Sequence, residues 1–94
     1  MSKGQLRLID DAADRDKANL RKAKEELNLA KSNIEKLRST ASGMQGKTGT
    51  AISEKSKQLA DALNELNENL DSTIMVINKI VQQVHEDDQR AARL

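Results

Sequence analysis

The sequence predicts an all-α protein, an antiparallel two-helix hairpin that dimerises or pairs with a different chain to form a four-helix bundle. Three observations carry that prediction. The 94 residues include no proline and no aromatic side chain. Apolar residues recur at alternating steps of three and four in both halves of the chain. Gly43, Gly46 and Gly49 fall together at its midpoint. Proline is excluded from helix interiors, and rounded mixed cores usually draw on aromatics for their buried area. The three–four alternation is the mark of helices that pack along a heptad seam. The whole chain, 1–94, therefore reads as one helical-hairpin domain.

The first helix is expected over about 5–42. Its seam runs Leu6, Ile9, Ala13, Asp16, Leu20, Ala23, Leu27, Ala30, Ile34, Leu37, Ala41. Only Asp16 is polar. In a hairpin turning near residue 46 it lies opposite the high seventies, where Lys79 is the nearest cation. The alanines let a second helix approach closely.

The turn is expected at about 43–49, because glycine supplies both the left-handed helix cap and a loose reversal. Gly43 or Gly46 would end the first helix, and Thr48 or Thr50 would cap the second.

The second helix is expected over about 50–91. Its seam runs Ile52, Ser56, Leu59, Leu63, Leu66, Leu70, Thr73, Ile77, Ile80, Val84, Asp87, Ala91, Leu94. A further apolar set lies beside it at Ala60, Ala62, Ile74, Val76 and Val81. Two helices cannot bury apolar surface on so much of one circumference, so a partner hairpin is expected. The stripe assigned to that partner is Leu63, Leu66, Leu70, Ile74, Ile77 and Val81.

Composition excludes several functions. Net charge is +1, and the densest basic patch, Arg21, Lys22 and Lys24, has no aromatic to stack a base, so nucleic-acid binding is not expected. The halves differ: residues 1–46 hold ten Lys/Arg against seven Asp/Glu, residues 48–94 five against eight, which favours pairing of one half with the other or with another copy. No cysteine means no disulfide, thiolate metal site or thiol nucleophile. The single histidine, His85, stands beside Glu86, Asp87 and Asp88, but side chains adjacent on a helix do not converge on one ion. No metal, cofactor or catalytic set is expected, and no enzyme activity. The most apolar stretch, TIMVINKIV at 73–81, is too short to span a bilayer, and MSKGQLRLIDD lacks the apolar core of a cleaved secretory signal. The chain is expected to be made in the cytoplasm.

Two features of spacing remain. Met44-Gln45-Gly46 in the turn is followed by Ala51 and Ile52, seven and eight positions past Met44. Forty residues past Met44, Val84-His85-Glu86-Asp87-Asp88 reads apolar-x-x-x-Asp. This pattern resembles the small helical hairpins of type VII secretion, the WXG or Esx-like family, whose turn carries Trp-x-Gly and whose second helix carries a Tyr-x-x-x-Asp/Glu export signal. Met44 stands in the place of the Trp and Val84 in that of the Tyr. With both signature aromatics relaxed, the chain is most similar to the accessory hairpins that accompany LXG-type toxins. The resemblance implies a turn motif of Met44, Gly46, Ala51 and Ile52 and an export signal of Val84 and Asp88. It also implies partners in a toxin's N-terminal helical domain and a secretion ATPase, with export that needs no cleaved signal peptide in a Gram-positive cell. The rival expectation is a structural coiled-coil adaptor or bundle module with no secretion role.

Overall fold

The structure, a computed structural model, describes residues 1–44 and 46–93. Gln45, the middle of the turn motif, and Leu94, the last seam position, lie outside the described residues. Two helices, α1 (Lys3–Ser42) and α2 (Lys47–Ala92), pack against each other, and there is no strand among the described residues. The fold is the expected all-α hairpin.

Each boundary has a local cause. α1 begins two residues earlier than expected because Ser2 and Gln5 cap it reciprocally. The Ser2 backbone N–H donates to Gln5 Oε1 at 3.0 Å, and the Gln5 N–H donates to Ser2 Oγ at 3.1 Å. At its other end, the Gly43 and Met44 amides donate back to the Thr40 and Ala41 carbonyls at 3.1 and 3.0 Å. Gly46 then reverses the chain with φ +92°, a conformation L-residues avoid.

α2 starts three residues earlier than expected, at Lys47. Thr48 and Thr50 are therefore inside the helix and do not cap it. The Thr50 hydroxyl instead donates to the Gly46 carbonyl at 3.4 Å.

The chain falls into two units. In the first, Met1–Lys22 pairs with Leu70–Leu94. Half-buried Leu6, Ile9, Ala13 and Leu20 meet half-buried Leu70, Ile74, Ile77, Val81 and Val84. Polar contacts fix the antiparallel pairing: His85 Nε2 lies 2.8 Å from Asp10 Oδ1, and Lys17 Nζ donates to Asn78 Oδ1 at 2.8 Å. Lys17, not Asp16, is the half-buried residue here. Asp16 is exposed, and the cross-hairpin contact falls one position later than the expected Asp16–Lys79 pairing. The stem of a lysine packs on apolar surface while its ammonium reaches out to a partner, which an aspartate is too short to do.

In the second unit, Ala23–Asn69, the seam is Ala23, Leu27, Ala30 and Ile34 against Ile52, Ser56, Ala60 and Leu63. Ala41 is 2% exposed, Ser56 is 4% exposed, and Gly49 is also buried. Ser56 survives burial because its hydroxyl donates to the Ile52 carbonyl at 2.7 Å. Asn67 also faces the seam, and its Oδ1 is shielded from solvent with no hydrogen-bond partner among the described residues. An unmade bond of this kind costs about 1–3 kcal/mol. Asn67→Leu is accordingly expected to raise stability by about 1 kcal/mol, read as a higher urea midpoint with an unchanged slope. An unchanged or lower midpoint would show that the amide is satisfied in solution.

The α2 seam is not the one the sequence favoured. The half-buried line runs Ser53, Ser56, Ala60, Leu63, Asn67, Leu70, Ile74, Ile77, Val81, Val84, Asp88. It shares Ser56, Leu63, Leu70, Ile77 and Val84 with the expected seam, whose first residue, Ile52, is half-buried beside Ser53. Its other member is in each case the next residue along: Ala60 replaces Leu59, Asn67 replaces Leu66, Ile74 replaces Thr73, Val81 replaces Ile80, and Asp88 replaces Asp87. Leu59, Leu66 and Ile80 are left outside, 55%, 47% and 56% exposed.

Candidate interaction surface

The seam frame decides where each expected functional residue sits. Of the stripe assigned to a partner, Leu63, Leu70, Ile74, Ile77 and Val81 are half-buried on the line that packs against α1, and only Leu66 is exposed. Five of the six therefore pack within the hairpin, each still partly exposed.

The turn motif is divided. Met44 is 44% exposed and borders a small groove with Ala41, Ser42, Gly49, Thr50, Ser53 and Glu54. Ala51 (exposed) and Ile52 (half-buried) instead border a groove of about 350 Å³ with Ile34, Leu37 and Leu59. Gly46 is exposed and serves the reversal. Met44 and the Ala51–Ile52 pair therefore do not line a common groove.

Val84 and Asp88 do share a face, but it is the face turned toward α1. Both are half-buried, as is His85 between them, while Glu86 and Asp87 are exposed. The Asp88 carboxylate lies 2.8 Å from the Met1 amine, and His85 holds Asp10. The sequence placed Asp87 in the seam. With Asp88 in that position the pairing continues, and α2 runs on to Ala92.

What the seam frame leaves outside on α2 is a second ordered line: Lys55, Leu59, Ala62, Leu66, Asn69, Thr73, Val76, Ile80, Gln83, Asp87, again in alternating steps of four and three and all exposed. The eight positions from Leu59 to Gln83 carry no charge, in a chain one third of whose residues are charged. Sequence reading placed Leu59, Leu66, Thr73, Ile80 and Asp87 in the seam and Ala62 and Val76 beside it, and passed over Lys55, Asn69 and Gln83. The signal that identifies the line is the lack of charge on it, continuous over three heptads.

Comparison with known protein families, curated proteins and solved structures finds no match. Among the described residues, no helix is long and apolar enough to cross a membrane.

Proposed function

We propose that this chain is a small non-enzymatic targeting protein of type VII secretion. In this role it is exported itself, or it escorts a larger effector by binding its helical domain. What supports the reading is the hairpin with its reversal at Gly46, two residues past Met44, which places the turn where the resemblance requires it. The export signal is the apolar-x-x-x-Asp of Val84 and Asp88, read by a secretion ATPase, and the bound effector is the helical N-terminal domain of an LXG-type toxin.

Because Val84 and Asp88 are packed against α1, recognition requires the last turns of the helix pair to part. The ties there are modest. His85 and Asp10 have side chains 41% and 39% exposed, and pairs so accessible are worth about 0–1 kcal/mol.

Asp88→Ala and Val84→Ala are expected to abolish release of the chain into the medium of a bacterium carrying the secretion system, with helicity retained by circular dichroism. Undiminished export of both variants would refute the address. The same half-buried placement favours a second reading, a structural bundle module in which Val84 and Asp88 are ordinary packing positions. On that reading, neither substitution touches any secretion phenotype.

A further inference from the structure

We propose that the closed end of the hairpin docks on the surface of a bilayer containing anionic phospholipid, with the groove beside Lys55 seated at the level of the headgroups. The proposal goes beyond the secretion reading and needs neither toxin nor ATPase.

The net charge of +1 conceals a segregation along the chain. Residues 36–57 hold five Lys/Arg against one Asp/Glu, a net of +4, and the rest of the chain holds eleven against fourteen, a net of −3. The whole cationic segment belongs to one compact unit, Ala23–Asn69. Its cations are Lys36, Arg38, Lys47, Lys55 and Lys57, and all five are exposed. At 1.5 Å per residue, none lies more than about 15 Å along its helix from Ser42 or Lys47, where α1 ends and α2 begins. Among the described residues none of the five is ion-paired, whereas Lys17 and Arg90 lie 3.6 and 3.5 Å from Asp14 and Asp87. Five unpaired cations crowded at one end repel one another, and an anionic surface relieves that repulsion.

Apolar surface lies among these charges. Ile34, Leu37, Ala51, Ile52 and Leu59 border the groove of about 350 Å³, and Lys55 is the one charged residue on its border. Leu37 and Leu59 are 52% and 55% exposed. Glu54, the only anion of the segment, borders the other groove, with Met44. Aliphatic side chains interspersed with long cations suit the boundary between acyl chains and headgroups. The aliphatics reach the apolar layer, and a lysine lays its stem on that layer while its ammonium meets phosphate. A nucleic acid offers the same phosphates but leaves the aliphatics in water, and the chain has no aromatic to stack a base.

The test is sedimentation of the purified full chain with lipid vesicles at neutral pH. Binding is expected to phosphatidylcholine vesicles carrying about 30% phosphatidylglycerol at about 0.1 M salt. It is expected to be lost toward 1 M salt, as the screening length shrinks from about 10 Å to roughly 3 Å. Lys47→Gln and Lys55→Gln are each expected to weaken binding about fivefold, and Lys79→Gln, outside the segment, to leave it unchanged. Leu37→Gln is expected to weaken it about tenfold with helicity retained, since Leu37 is already exposed in the free chain. Retention on a single-stranded oligonucleotide column is expected to be weaker than vesicle binding and indifferent to Leu37→Gln. No sedimentation with the anionic vesicles, or equal sedimentation with pure phosphatidylcholine, would overturn the proposal. So would binding that ignores the two lysine variants or Leu37→Gln, or tighter binding to the oligonucleotide than to the vesicles. Export is read in none of these arms, so this proposal and the secretion reading fail separately.

Discussion

Replacing Gly49 with valine is expected to destabilise the protein by about 2–3 kcal/mol and to lower its Tm by roughly 10–20 °C. A Cβ at this position would stand 2.7 Å from the Met44 carbonyl oxygen and 3.0 Å from that of Ala41. Those atoms are backbone at the closed end of the hairpin and have no rotamer to retreat into. Gly49→Ala makes the sharper comparison. Inside a helix that exchange ordinarily gains about 1 kcal/mol. Here the gain is set against the clash, and the net sign is expected to reverse, with a loss of about 1 kcal/mol. Gly4→Ala is the control, because its added Cβ would meet nothing closer than Ser2 Oγ at 4.0 Å. Thermal melts in which Gly49→Ala and Gly4→Ala both stabilise would show that the helices do not close on Gly49.

Val81→Asp is expected to cost about 2–4 kcal/mol, because it places a carboxylate on the line between the two helices. Ile80→Asp, one residue away, is expected to change hairpin stability by less than about 0.5 kcal/mol. Ile80 is already 56% exposed, whereas Val81 is half-buried. The pair separates the two possible seams of α2 more cleanly than truncation to alanine, since only a charge distinguishes strongly between a half-wet and a packed position. Urea titrations with Ile80→Asp the more damaging would restore the seam through Leu59, Leu66 and Ile80.

That ambiguity explains which parts of the fold were legible from sequence. The number of helices, their antiparallel course and the midpoint turn follow from heptads interrupted once by glycine, and these hold. In α1 the expected seam also holds at Leu6, Ile9, Ala13, Leu20, Ala23, Leu27, Ala30, Ile34 and Ala41, failing at Asp16 and at Leu37, which is 52% exposed. α2 admits two frames because apolar residues flank the shared line of Ser56, Leu63, Leu70, Ile77 and Val84 on both sides. Choosing by bulk selects Leu59, Leu66 and Ile80. At those three positions the hairpin instead uses the smaller or more polar Ala60, Asn67 and Val81, with half-buried Asp10, Lys17, Lys24 and Lys31 on the α1 side. Periodicity alone cannot distinguish a side chain hidden by its own fold from one reserved for another molecule.

The glycines illustrate the same limit. Sequence gave all three one task, but Gly46 supplies the positive φ and Gly49 the close approach, so α2 begins before Gly49 and not after it. The N-terminal start was readable in principle, since Ser2 and Gln5 have the spacing of a reciprocal cap.

Asn67 carries a consequence of its own. A zip made only of aliphatic teeth can be fastened one notch out, because every repeat offers the next tooth an equally good slot. An amide set among them spoils that equivalence, since a creep of one strand past the other would strand it against a different neighbour. The strength given up at Asn67 is on that ground expected to guard the alignment of the two helices, and the sturdier Asn67→Leu chain is the one in which misaligned hairpins should be sought.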